Sequence, residues 1–388
     1  MATKPKSSRK KSTTKAASSR SKSRSRSKSE EAEGKHIHGH CAQPNVPPRE
    51  LPASLPPGRE MLIRRHEKKW ANHTVLHYCF MDNPSHWRGS QANKDAVRNA
   101  FEEWKTVPIG LEFVEVFDPA EAELRIGFFQ HPTAQDAGSW SYVGRDNVDL
   151  VKDSTQRTMN FGWDLTDSYG FDTALHEIGH ALGFPHEHQN PNSGIVWDEQ
   201  AVLDYYTGSP NFWTEDQARW NVLRKLSQAE VEGSDWDRNS IMHYWVKKGL
   251  VLEPEDLRDV DMFPEPGLSE MDRETVKGFY PDKNTDRLPY LRPFEAHQMR
   301  ITPGEQLDFV IEPEYSRRYT FQTFGSLDTV MVLFEEIDGE PRYMAGDDDS
   351  GTDFNSKINE RLFKGRKYIL RIRLYFAGAA GEGAVMMY

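Results

Sequence analysis

Residues His176–His186 read HEIGHALGFPH. On an α-helix, residues four apart sit one above the other on one face, about 6 Å along the axis. His176 and His180 therefore present two imidazoles to one metal ion. Glu177 stands beside the first of them, where its carboxylate reaches a water at the metal without itself being a ligand. Gly183 adopts the left-handed turn that would strain a Cβ, which ends the helix and brings His186 round as a third nitrogen. Three nitrogens leave a fourth position open, the arrangement of catalytic rather than structural zinc. A bare H-E-x-x-H arises by chance in unrelated helices; the extended pattern H-E-x-x-H-x-x-G-x-x-H fixes five positions at set spacing and is far more specific. His188, two residues on, is not needed for the site and is expected at the surface.

Around this segment, Phe171–Leu182 reads as the helix, with Asp172 and Thr173 as its N-terminal caps. Upstream, Thr74–Phe80 (TVLHYCF) alternates like a strand, while Ala96, Val97, Ala100, Phe101 and Trp104 form one apolar stripe on a helix over Asn93–Lys105. Leu111–Phe117 and Glu123–Phe129 read as further strands. The order strand, helix, strand, strand belongs to an α+β or mixed α/β domain with a twisted sheet. Downstream, helical patterns recur at Asp198–Tyr206, Thr214–Leu226 and Ser269–Gly278, the last opened by Ser269 as a cap, and Pro281 ends the domain. From about Leu288 the texture changes. Short alternating runs at Leu307–Ile311, Tyr319–Thr323, Thr329–Phe334 and Lys367–Leu374 are separated by Gly, Asp and Asn turns, which indicates a small antiparallel β-sandwich.

The chain of 388 residues is long enough for two such domains and a tail. Residues 1–35 are nearly all Ser, Lys, Arg, Thr and Ala, cannot bury enough apolar area to offset their ordering entropy, and are expected to be disordered. Residues 36–60 are rich in His and Pro and read as an extended linker. The N-terminus lacks the apolar stretch of a Sec-type signal peptide, and no run of about 18 apolar residues spans a membrane. The net charge is −11 overall and +9 over residues 1–35, which leaves −20 for the rest. A folded body so acidic repels nucleic acid. Cys41 and Cys79 are the two cysteines, too few for a disulfide framework; both are expected as free thiols, Cys79 buried in its strand. Scarce cysteine and the missing signal peptide point inside the cell, whereas the families resembled below are mostly secreted, so the sequence leaves the compartment open; a monomer is expected.

The longer run HEIGHALGFPHEH resembles the zinc-binding segment of the metzincins, most closely that of the astacin-like peptidases, whose motif continues Gly-Phe-x-His-Glu. Ser240–Tyr244 (SIMHY) is similar to the family's Met-turn. The resemblance implies that Met242 forms a hydrophobic floor under the metal's histidines, and that Tyr244 is an extra zinc ligand that swings away to stabilise the transition state. Gly138–Gly144 (GSWSYVG) and Thr158–Gly162 (TMNFG) also resemble the astacin-like pattern, so the likeness covers residues 61–282. Two features depart from it. Ser139 stands where the family usually has a Cys, and HQNPNSG replaces an Arg- and Asp-rich run after the third histidine. Over residues 289–388, TFGSLDTVMVLFEE, AGDDDSG and GRKYILRIRL resemble the prepeptidase C-terminal domain. There Asp347, Asp348 and Asp349 offer hard oxygen ligands for Ca²⁺, although Asp/Gly turns are common without metal.

These readings together describe a zinc-dependent endopeptidase holding one zinc per chain, with Glu177 as general base and a peptide or protein substrate lying extended along a sheet edge. The alternative is a catalytically inactive, zinc-bearing peptide-binding protein, which has no use for Glu177. A protein acting on nucleic acid through its basic tail would need a basic face on the folded body as well. Cys41 adds a regulatory expectation. Metzincins are often held inactive by an N-terminal segment, and a thiol on a linker that can cross the cleft could cap the metal until that segment is cut; the astacin-like enzymes more often use a carboxylate for this.

Overall fold

The computed structural model describes residues 39–47, 68–131, 136–227, 235–281, 288–337, 339–375 and 379–388. The tail expected over residues 1–35, and the linker beyond residue 47, lie outside them.

β1 (Thr74–Phe80) forms as read, buried on both faces rather than alternately, and lies inside a five-stranded sheet of order β2-β1-β3-β5-β4, with β2 Leu111–Glu115, β3 Leu124–Gly127, β4 Trp140–Ser141 and β5 Met159–Asn160. The pairs β1–β2, β1–β3 and β3–β5 are parallel, and β4 closes the edge antiparallel to β5. Parallel strands need crossovers, and α1 (Gln91–Lys105) supplies the one between β1 and β2. Its stripe of Ala96, Val97, Ala100, Phe101 and Trp104 is buried, and Ser90 caps it by accepting from the Asn93 backbone N–H. That stripe packs with Leu76, Ile126 and Phe161 of the sheet side and with Leu175 and Ile178 of α2 (Ser168–Ala181) in one core. The helix that carries the histidines is thus clamped between sheet and α1.

The cap of α2 differs from the sequence expectation. Asp167, not Asp172 or Thr173, accepts from the Gly170 backbone N–H. The helix starts a turn earlier than its apolar periodicity suggests, because Ser168 and Tyr169 extend it without adding to the stripe. Below α2 lie α3 (Glu199–Thr207), capped by Asp198, and α4 (Glu270–Phe279), opened by Ser269. The helix expected over Thr214–Leu226 is a single turn, Glu215–Ala218, running into a π-helical stretch, Arg219–Leu223. β6 (Val196–Trp197) and β7 (Val251–Glu253) form a small ribbon there.

The C-terminal region is two four-stranded antiparallel sheets, of orders β13-β10-β15-β8 and β12-β11-β14-β9. Their strands are β8 Ala296–Ile301, β9 Gln306–Ile311, β10 Arg317–Gly325, β11 Thr329–Ile337, β12 Glu340–Asp347, β13 Lys357–Leu362, β14 Lys367–Leu374 and β15 Gly381–Met387. Inward residues such as Phe309, Phe321, Leu333 and Leu370 fill the space between them, so this is the expected sandwich. Its second sheet also has a buried outer face. Val330, Val332, Phe334 and Ile369 pack on Ala71, just before β1. His77 of β1, fully buried, lies 3.1 Å from Glu123 and 3.2 Å from Glu340 of β12.

Candidate metal centre

Helical spacing puts His176 and His180 on one face of α2, and the turn after the helix decides where the third histidine goes. Gly183 sits at φ 106°, a conformation that L side chains rarely adopt, and the Phe184 N–H donates back to the Gly179 carbonyl at 3.1 Å. Tyr280 Oη donates to the Leu182 carbonyl at 2.6 Å and Trp70 Nε1 to the Ala181 carbonyl at 2.8 Å, so the last carbonyls of the helix are satisfied from outside. The Glu187 N–H then donates to the Met242 carbonyl at 3.0 Å, which ties the returning chain to the SIMHY turn and brings His186 home. His180 Nε2 and His186 Nε2 end 3.1 Å apart.

The donor set fits zinc. His176 Nδ1 lies 2.7 Å from the Ile241 carbonyl and His180 Nδ1 2.7 Å from the Phe184 carbonyl. Both rings therefore carry their proton on Nδ1 and turn an Nε2 lone pair inward, the tautomer that metal-ligating histidines need. His176 Nε2 is buried with no hydrogen-bond partner, which costs free energy unless something fills that place. Two Nε2 lone pairs at this separation repel each other unless a proton or a cation lies between them, and ligands on one tetrahedral zinc stand about 3.3 Å apart given bonds of about 2.0–2.1 Å. Burial lowers His176 to about 4 and drives His180 and His186 well below the ordinary imidazole value. All three are thus neutral, as ligands must be.

A fourth group joins them. Cys41 Sγ lies with donor atoms of the three histidines, all within 4.8 Å of one another. The thiol also donates to Glu177 Oε2 at 3.5 Å. Burial, then the Glu177 charge, pushes the thiol well up. Glu177 is itself fully buried, with Oε1 unpartnered, and burial pushes it up to about 8. The stretch expected to be a free linker is instead threaded through the site. The Ala42 N–H donates to the Ser139 carbonyl, next to edge strand β4, at 2.9 Å; Tyr169 Oη donates to the Gly39 carbonyl at 2.8 Å, and Gln43 Nε2 is 3.2 Å from His180 Nδ1. Cys79 is buried in β1 as read, and both thiols are free.

Met242 is buried beneath α2, where Gly179 makes room for it: a Cβ on Gly179 would collide with Met242 Sδ. Tyr244 packs its ring 4.5 Å, centroid to centroid, from His186, and its hydroxyl donates to the Cys41 backbone carbonyl. His188, expected at the surface, is buried. Its ring lies 4.2 Å from that of Tyr244 and its Nε2 is 2.8 Å from the Asn221 carbonyl. The polar run HQNPNSG has the composition of a solvated loop, yet the π-helical stretch after Glu215–Ala218 folds over it.

Two supporting residues escape the sequence reading. Asp272 accepts from Ser240 Oγ at 2.7 Å and from the backbone N–H groups of Ile241 at 2.8 Å and Ser269 at 2.9 Å. One carboxylate thereby caps α4 and pins the turn whose Ile241 carbonyl orients His176. The S-x-x-D spacing of Ser269 and Asp272 is a capping-box signal that could have found it. Glu187, raised to about 7 by burial, accepts from Asn190 Nδ2 and the Asp237 N–H. Replacing Asp272 by Ala should weaken zinc binding about 10–100-fold, the usual cost of losing an outer partner of a metal site. Competition against a zinc-chelating dye reads this directly, and unchanged affinity in a folded variant would show that Ile241 needs no such anchor.

In the sandwich, Asp347 accepts from the backbone N–H groups of Ser350 at 3.0 Å and Lys357 at 2.7 Å. Among the described residues, the Asp347–Asp349 carboxylates do not converge as the histidines do.

The model for the astacin family of peptidases matches residues 62–250. The structure of myroilysin is 30% identical, covers 56% of this chain and 98% of its own, and superposes with a TM-score of 0.48. High choriolytic enzyme 1, a hatching enzyme zinc-protease from Oryzias latipes (Medaka fish), is 17% identical over 54% of this chain and 91% of its own, with a TM-score of 0.34. The pre-peptidase C-terminal domain of a collagenase from Bacillus anthracis is 14% identical over 28% of this chain and 100% of its own, at 0.24. Among curated proteins nothing matches. The family model spans the histidine helix and the SIMHY turn, and the identity to myroilysin runs along nearly the whole of that chain; on these two grounds the chain belongs to the astacin family and is a zinc metalloendopeptidase.

Proposed function

We propose that this peptidase cuts internal peptide bonds with Glu177 as its general base, and that residues 39–47 hold it latent by lying in the substrate cleft with Cys41 at the metal. One observation carries the reading: the Cys41 thiol sits at once among the three histidines and on Glu177.

Zinc, held by His176, His180 and His186, would supply a Lewis acid that polarises the scissile carbonyl and acidifies water. The chain's own groups do the rest. Glu177, freed of Cys41, takes a proton from the attacking water and hands it to the leaving amine. Tyr244 already donates its hydroxyl to a main-chain carbonyl of the segment in the cleft; the same hydroxyl is placed to donate to a substrate carbonyl as negative charge builds on its oxygen. We assign it this role rather than that of a standing metal ligand, because its hydroxyl is engaged on that carbonyl. The Ser139 carbonyl beside β4, which accepts from Ala42, would accept from substrate in the same way. With zinc bound, the Cys41 thiol would pass its proton to Glu177, on which it already lies, and serve as a thiolate ligand; Cys41 would then fill the open metal position while the protonated Glu177 could not act as a base.

Purified protein should carry one zinc per chain, absent from the His176→Ala/His180→Ala double variant, and a chelator should abolish hydrolysis of an unfolded protein substrate. Elemental analysis finding no zinc after zinc-replete growth, or chelator-resistant hydrolysis, would overturn the proposal.

For Asp347–Asp349, a turn held by its own hydrogen bonds is better supported than a calcium site. Added Ca²⁺ should leave the melting temperature unchanged, whereas a rise that saturates with Ca²⁺ and vanishes in Asp347→Asn would restore the calcium reading.

A further inference from the structure

One residue before Cys41, the ring of His40 is inserted into a pocket made almost wholly of other rings. Trp245 stacks on it at 4.7 Å between centroids and 27° between planes. Tyr206 and Tyr244 lean on it at 4.9 and 5.0 Å, and Tyr205 and Trp213 present their edges at 6.3 and 6.5 Å. His40 Nε2 lies 3.1 Å from the Trp245 carbonyl, and the His40 backbone N–H donates to Asn211 Oδ1 at 2.8 Å. His40 is 3% exposed. The pocket is walled by α3, the loop after it and the residue following SIMHY.

We propose that this pocket is the specificity pocket of the peptidase, and that it selects a ring-bearing side chain at a residue flanking the scissile bond. The inference rests on the reading that residues 39–47 stand where substrate would. Cys41 marks the metal, so the neighbouring side chain on the same segment marks the subsite beside the bond to be cut. Tyr244 is shared between the pocket and the histidines, which leaves no room for an intervening residue. Ring faces carry negative quadrupoles and favour ring edges and donors. The carbonyl at the Trp245 end accepts a hydrogen bond and repels an anion. Phe, Tyr, Trp and His suit such a space. A carboxylate there would meet ring faces and the Trp245 carbonyl oxygen, and would give up the solvation of water for its charge. Exposed Lys247 is occupied over the Tyr205 ring, its Nζ 4.9 Å from the centroid.

The segment itself reports the preference without any need for activity. Buried Cys41 can be alkylated only when the segment lifts, so its rate follows the opening equilibrium, and Cys79, buried in β1, reports global unfolding in the same sample. In the full chain, position 40 is changed to Phe, Tyr, Ala and Asp, and iodoacetamide labelling of each cysteine is followed by peptide mass spectrometry. His40→Phe and His40→Tyr should stay within about threefold of the parent, and His40→Ala and His40→Asp should label at Cys41 about tenfold faster or more, with Cys79 unchanged. An Asp variant as slow as the parent, or a Phe variant as fast as Ala, overturns the proposal. The zinc-loaded Cys41→Ser chain is then given a peptide library, in which cut sites should carry Phe, Tyr, Trp or His on one side of the bond. Cleavage with no ring preference also overturns it. If the labelling series falls in the expected order and no peptide is cut, the pocket's preference stands and the catalytic reading fails.

Discussion

Glu177→Gln should keep its zinc and its fold and lose peptide hydrolysis by 10²–10⁴-fold or more, about the range that general-base catalysis contributes. The amide has nearly the same shape and can still face Cys41, so packing around it should survive. What it cannot do is accept a proton. Zinc content and the thermal transition should match the parent within error. Comparable hydrolysis by variant and parent would remove Glu177 from the mechanism, and loss of zinc along with activity would mean that it supports the site rather than acting in it.

The second large effect is a gain. Cys41→Ser should raise the activity of the full chain on the order of tenfold to a hundredfold, the ratio expected when the competent form is a minority of about 1–10%. Serine is a weak ligand for zinc beside a thiolate, so the hold on the metal is lost while the Ala42 and Gly39 hydrogen bonds and the His40 anchor remain. A chain starting at Met61 loses those as well and should be at least as active as Cys41→Ser. If parent, Cys41→Ser and the shortened chain are equally active, the segment is not an inhibitor. If only the shortened chain gains, the segment inhibits through His40 and its backbone rather than through the thiol.

Much of this molecule can be read from sequence because its decisive groups lie on short periodic elements. Two histidines four apart and a glycine after them place their own ligands, and β1, α1 and the start of α4 follow from alternation, stripe and cap. Asp167 escapes notice as the cap of α2 because Ser168, Tyr169 and Gly170 stand between it and the apolar stripe. His188 and the residues around it look exposed because their burial comes from a π-helical stretch distant in sequence. Residues 39–47 read as a free linker on composition alone. Prolines and histidines do look solvated until a cleft lined with Tyr206, Trp213, Tyr244 and Trp245 is there to receive them, and no local pattern announces that cleft. The thiol of Cys41 is legible as chemistry, whereas its position among the histidines is not.

Zinc K-edge X-ray absorption on the full chain counts the metal's ligands. The parent should show three nitrogens at about 2.0–2.1 Å and one sulfur at about 2.3 Å, with the sulfur replaced by oxygen or nitrogen in Cys41→Ser. A parent spectrum without sulfur, or one with fewer than three imidazole nitrogens, would contradict it.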